Sequence, residues 1–305
     1  MSIKEFMTKI YEVLQQSGNE EYSFTTNEII KANDVVYYAL TVTKRGENIG
    51  KNIYLEYYYE KFMNGYELDL IIKEITEELD KNREFIESND CNNILKNIMN
   101  YEAICEKIIF KLVNKERNNQ FLQGKVYREF LDLALVYQVA VNNPEEGLAV
   151  CCIHPKMLKY WNVTEEQLYI QAMKNIQSML PARVKTLKDI ISGMLEDLEE
   201  EFSEEINTPF YVLSNKYGVN GAATILYDNV LKDFANSRNA DRVIIIPSSV
   251  EEVLLIPMTS NDKFSEQEYN RILLEVNEQL EKHLWLSDHI YIYDYTEDVI
   301  EMWTE

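Results

Sequence analysis

Hydrophobic and polar positions along this chain switch between a helical and an alternating period, and the switches mark its elements. Ile3, Phe6, Met7, Ile10, Val13 and Leu14 recur at helical spacing. They predict an opening helix with one apolar stripe that stops near Ser17-Gly18. Runs 35–43 (VVYYALTVT) and 52–58 (NIYLEYY) flank Arg45-Gly46 and Gly50, which predicts a hairpin. After Asn64-Gly65 comes an amphipathic helix through Leu68, Ile71, Ile72, Ile75 and Leu79, with Glu74, Glu77, Glu78 and Asp80 on its solvent side. Residues 82–93 read as a polar connector, and Ile94, Ile98, Tyr101 and Cys105 predict a helix running towards Leu112.

The run 128–141 (REFLDLALVYQVAV) enters a second hairpin, with its turn at 142–147 and its return strand at 148–153. Met157 to Trp161 make a helical turn. Thr164 and Gln167 then form a capping box for a helix whose inner stripe is Leu168, Ala172, Ile176 and Met179, and Pro181 ends it. Residues 187–202 read as a further helix.

The most ordered passage is 210–258. It starts with a short strand at 210–214, closed by turn signals at Gly218 and Asn220-Gly221. Residues 221–227 are a strand or the approach to a helix. Asp228 or Asn229 caps a helix carrying Val230, Leu231 and Phe234. A β-branched run at 243–246 breaks at Pro247-Ser248-Ser249 and returns as 253–256, a hairpin of two buried strands at the heart of a sheet. Ser265 with Glu268 caps a last helix with Ile272, Leu273, Val276 and Leu280 inside. HIYIY at 289–293 alternates as an edge-type strand, and 299–303 is a short tail.

A hairpin followed by a helix occurs three times in this reading. That order predicts an α+β fold, antiparallel hairpins alternating with amphipathic helices and sheets covered by helices. The polar break NKERNNQ at 114–120 suggests an N-terminal helix-hairpin-helix lobe, 1–118, and a C-terminal α+β lobe, 119–305, or else one compact unit.

Composition narrows the function. Lys and Arg number 30 against 52 Asp and Glu, a formal charge of -22, so the surface repels phosphate backbones and anionic lipid. No basic patch of any size interrupts it, and neither direct nucleic-acid binding nor membrane binding is expected. The charge favours a basic partner. The 21 tyrosines suit half-buried strand faces first and interaction surfaces second. No window approaches the roughly 18 apolar residues of a membrane span, and the amino terminus lacks a signal-peptide core. A cytoplasmic protein is expected. Cys91, Cys105, Cys151 and Cys152 form no disulfide framework.

Four passages carry a family resemblance: NIYLEYYYEKFMNG with the helix after it, LALVYQVAV, EEQLYIQAMKN, and FYVLSNKYGVNGAATILY with IIIPSSVEEVLLIPM. Through them the chain resembles an uncharacterised domain-of-unknown-function family of anaerobic Gram-positive, often gut, bacteria. The resemblance implies no activity. In the family pattern a histidine commonly stands at the position of Glu251, which weakens a catalytic or metal-binding histidine there.

Candidate chemistry is sparse. Cys151-Cys152-Ile153-His154 lacks the second ligand pair a structural zinc needs, and it lies in an apolar run that reads as buried strand. Cys152 and His154 would share one strand face, without an orienting carboxylate. No phosphate-binding glycine motif is present, and no metal or cofactor is expected.

Two site readings follow. The first is the acidic segment Glu196, Asp197, Glu199, Glu200, Glu201, Glu204 and Glu205, either a solvated helix face or a set of carboxylates that mimics nucleic-acid phosphates before a basic groove. The second is a small-molecule or hydrolase site near Asn215, Tyr217, Ser248 and Glu251. The leading expectation is an acidic interaction protein that docks on a basic partner without doing chemistry. A homo-oligomer subunit using its tyrosine-rich strands is a third reading, and the oligomeric state is not legible.

Overall fold

The computed structural model describes residues 1–16, 21–46, 50–86, 94, 96–142, 144–186, 189, 210–259, 262 and 266–303. The backbone forms two compact units, Met1–Asn97 and Ile98–Glu305. The polar run at 114–120 therefore lies within the second.

The first unit holds α1 (Ile3–Gln16), the strands β1 (Tyr22–Ile30), β2 (Val36–Lys44) and β3 (Gly50–Tyr54), and the helices α2 (Glu56–Met63) and α3 (Leu68–Ile86). β2 pairs antiparallel with both other strands. The predicted stripe of α1 buries Phe6, Met7, Ile10 and Leu14 in one core with Leu40, Val42, Ile53, Tyr58, Ile71 and Ile75.

Two elements here depart from the pattern. β1 was not expected, because an outer strand sends few side chains inward: Tyr22 and Phe24 are buried while residues 25–28 are exposed. The strand expected over 52–58 stops at Tyr54. Glu56 accepts the Tyr38 N–H at 2.6 Å, and helical spacing then places Tyr58, Tyr59 and Phe62 against the core. Packing overrides the strand preference of the tyrosines. Glu74 and Glu78 do not simply face solvent, since Lys61 pairs with Glu74 at 2.7 Å and the Tyr58 hydroxyl donates to Glu78.

The second unit contains two sheets. The smaller comprises β4 (Ile108–Asn114), β5 (Tyr127–Phe130), β6 (Leu133–Ala140) and β7 (Val150–Cys152). β6 pairs with the other three, and each of its residues is buried. The helix expected to reach Leu112 ends in a single turn, α4 (Tyr101–Ile104), and IIFKLVN becomes β4 because β6 supplies a partner for its β-branched residues. α5 (Pro155–Trp161) follows β7.

α6 (Glu165–Met179) opens on the predicted box, with Gln167 N–H donating to Thr164 Oγ1 at 3.2 Å. Leu168, Ala172 and Ile176 face inward as expected. Asn175 donates to the carbonyls of Cys105 and Ile108, pinning the helix to the start of β4. At the other end Arg128 forks onto Glu165 at 2.9 and 2.8 Å, and the Tyr137 hydroxyl donates to Glu165.

The larger sheet has the order β13 (Val299–Met302), β12 (Tyr291–Asp294), β10 (Arg242–Ile246), β11 (Val253–Met258), β9 (Tyr211–Asn215) and β8 (Ala182–Thr186). The predicted hairpin β10–β11 is its centre. β12 is interior, flanked by β10 and β13, where an edge strand was expected. β8 was not anticipated; it is an outer strand of mixed character whose Arg183 and Val184 are exposed. Residues 221–226 form a 3-10 turn, followed by α7 (Val230–Ser237); α8 (Glu266–Gln279) precedes β12 and buries Leu273. The helix expected over 187–202, apart from Asp189, and the Ser265 cap lie outside the described residues.

Polar bonds join the two sheets. Asp132 accepts the Tyr291 hydroxyl at 2.5 Å and the Ser287 hydroxyl at 2.7 Å. Asn114 donates to the Leu286 carbonyl at 3.1 Å.

Gly221 is buried, and a Cβ there would collide with Ser214 Oγ and the Glu251 carbonyl. Urea unfolding of Gly221→Ala should therefore show a loss of about 2–3 kcal/mol, as for overpacked cores. Gly218→Ala, at φ +69° with open space around it, should cost only about 1 kcal/mol.

Candidate functional site

Four residues singled out from the sequence lie at the two turns that follow β9 and β10. Asn215 is buried and closes the turn, its amide donating to Val219 O at 2.6 Å and its Oδ1 accepting Tyr217 N–H at 2.9 Å. Ser248 is buried, and its hydroxyl donates to Glu252 O at 2.9 Å. Ser249 Oγ accepts the N–H groups of Glu251 and Glu252 at 3.1 and 3.2 Å. Both serines hold the hairpin turn and neither is poised as a nucleophile.

Glu251 is committed too. Its carboxylate accepts Asn220 N–H at 2.5 Å, and its carbonyl accepts the Ser214 hydroxyl at 2.6 Å. Burial pushes its carboxyl above the usual range, against the opposing pull of the Asn220 N–H and the Lys111 charge. The predicted pocket is thus split: Asn215 and Tyr217 line a groove of about 310 Å³, while Ser248 and Glu251 are not among its walls.

The carboxylate in that groove is Glu252, with its own carboxyl raised by burial. Strand register explains its company. Arg183 lies opposite Ser214 and Lys185 opposite Val212, and the pairing of Val253 with Leu213 brings Glu252 alongside Ser214. Lys216, Tyr217 and Gly218 close one end. The fold therefore gathers Arg183, Lys185 and Lys216 into the basic patch that no stretch of sequence shows. Its only local trace is the basic alternation in ARVKT.

The histidines and cysteines are placed apart. His154 is the residue before α5 and lies beyond β7, so it shares no strand face with Cys152; its Nδ1 meets Gly124 O at 2.5 Å. Burial pushes the Cys151 thiol up, away from thiolate character. A polar cleft of about 560 Å³ lies by Lys115, Asn119, Tyr127, Asp132 and His289. Asp132 there is already occupied by Tyr291 and Ser287.

Among the described residues, no group of three His, Cys, Asp or Glu side chains is placed to hold a metal ion. No helix among them is long and apolar enough to cross a membrane. Glu196, Asp197, Glu199, Glu200, Glu201, Glu204 and Glu205 lie outside the described residues.

Antiparallel sheets with helices packed on them, in two compact units, make this an α+β protein. The chain belongs to DUF5688, a family of unknown function whose model matches residues 3–295. No curated protein and no solved structure matches it.

The raised carboxyls set a pH dependence. A carboxyl whose folded pKa exceeds its unfolded value stabilises the fold fully below the unfolded pKa, and that stability is lost as pH rises through the folded one. Urea melts should show the second unit weakening as pH climbs above the ordinary value of 4.5 for Glu252. Glu252→Gln should flatten that slope and be the more stable form at neutral pH; an unchanged slope would remove the assignment.

Proposed function

We propose that this chain is an acidic binding protein of the cytoplasm that docks on a basic macromolecular partner. The carrying observation is its charge of -22 set beside the way its cations are used. Lys4 pairs with Glu28 at 2.7 Å, Lys115 with Glu129 at 2.8 Å, Lys232 with Asp298 at 3.0 Å and Arg242 with Asp294 at 3.4 Å. Arg128 takes up both Glu165 and Glu166. Such pairs add little stability in water, and each leaves the carboxylate surplus intact. That surplus attracts a basic surface and speeds association with it.

The finer form of the reading is charge mimicry. The segment Glu196 to Glu205 would stand in for nucleic-acid phosphates in the basic groove of a nucleic-acid-handling complex, in the anaerobic gut bacteria whose proteins the sequence resembles.

The test is a fluorescence-anisotropy titration with a labelled Lys/Arg-rich peptide and with a basic DNA-binding protein. Affinity should fall steeply between about 0.05 and about 0.5 M salt. DNA should compete for the basic protein. Neutralising Glu196, Asp197, Glu199, Glu200, Glu201, Glu204 and Glu205 together to their amides should weaken binding roughly tenfold or more. Salt-independent binding, or an unchanged affinity in that variant, would sink the proposal.

A further inference from the structure

The groove over β8, β9 and β11 combines chemistry that the acidic-partner reading does not use. Arg183 and Lys185 project from one face of the outer strand β8, two residues apart. Neither side chain has a hydrogen-bond or ion-pair partner among the described residues. Both charges are therefore open to a ligand, and they face one groove together. Lys216 at the groove's end pairs with the exposed Glu145 at 3.7 Å, and its ammonium lies 5.1 Å from the Tyr217 ring centre.

An arginine fork beside a lysine point charge matches the geometry and charge of a phosphate group. Glu252 sits across the same groove, in register with Ser214. A carboxylate there only accepts hydrogen bonds. It repels a bare anion and rewards one that carries hydroxyl groups at its other end. The volume of about 310 Å³ lies at the small end of ligand sites. The negative field of the whole chain is screened beyond about 8 Å at physiological salt, so close contacts decide the affinity.

We propose that this groove binds a small phosphate monoester bearing hydroxyl groups, of the sugar-phosphate class, with Arg183, Lys185 and Lys216 on the phosphate and Glu252 on the hydroxyls. Tyr217 walls the end of the site, and Asn215 positions Tyr217 through its backbone N–H.

Isothermal titration of the full chain with ribose 5-phosphate, inorganic phosphate and ribose tests it. Ribose 5-phosphate should bind, inorganic phosphate should bind about tenfold more weakly, and ribose should not register. Arg183→Gln, at an exposed site where the fold has little to lose, should weaken ribose 5-phosphate roughly tenfold or more. Glu252→Gln should weaken ribose 5-phosphate and leave inorganic phosphate unchanged or tighter. Circular dichroism checks that each variant is folded. Absence of heat with both phosphates at millimolar levels, or binding unaffected by Arg183→Gln, would overturn the site. Equal affinity for the two phosphates together with a neutral Glu252→Gln would overturn its preference for a hydroxylated ligand. None of these outcomes depends on the acidic segment, so this proposal and the acidic-partner reading stand or fall separately.

Discussion

The second unit depends on one junction, where the hairpin turn before β11 meets the turn after β9. Glu251 takes the Ser214 hydroxyl on its carbonyl and the Asn220 N–H on its carboxylate, while Gly221 lies so close that no Cβ fits. Buried backbone groups must be hydrogen-bonded, and this arrangement meets that demand for both turns together. It does so by burying a carboxyl, whose raised protonation is the cost. Because Glu251 is held there, its neighbour Glu252 is presented to the groove. The structural and the chemically available carboxylate are thus adjacent in sequence and separate in role.

The same division recurs elsewhere in the unit. Asp132 binds Tyr291 and Ser287 and so ties the smaller sheet to the larger. Glu165 binds Arg128 and Tyr137 and anchors α6. These carboxylates act as acceptors for buried hydroxyls and a fork-shaped cation. The field that a partner would sense comes from the others. The two proposed sites do not conflict, since screening confines each attraction to its own region.

Elements whose signal is local were legible. The α1 stripe, the Thr164–Gln167 box and the β-branched hairpin β10–β11 all appear where the pattern put them. The misread elements lack a decisive local signal. β1 and β8 are outer strands with few inward side chains. The first turn of α2, residues 56–58, was read as strand because tyrosines favour sheets, and β4 was read as helix because its apolar run is too short for periodicity to decide. Of the predicted pocket, Asn215 and Tyr217 reach the groove, and Ser248 and Glu251 brace it from outside.

By itself the sequence determined the α+β class, the Thr164-capped helix, the central hairpin and the charge surplus, because each depends on residues within a few positions of one another or on composition alone. Only the tertiary structure decided that Arg183, Lys185, Lys216 and Glu252 would share a groove and that Asp132 would meet Tyr291. Those neighbours are set by which strands pair and in what register, and a shift of one residue sends every side chain to the opposite face. Register is fixed by the packing of the whole unit, so no local pattern of hydrophobic and polar residues carries it.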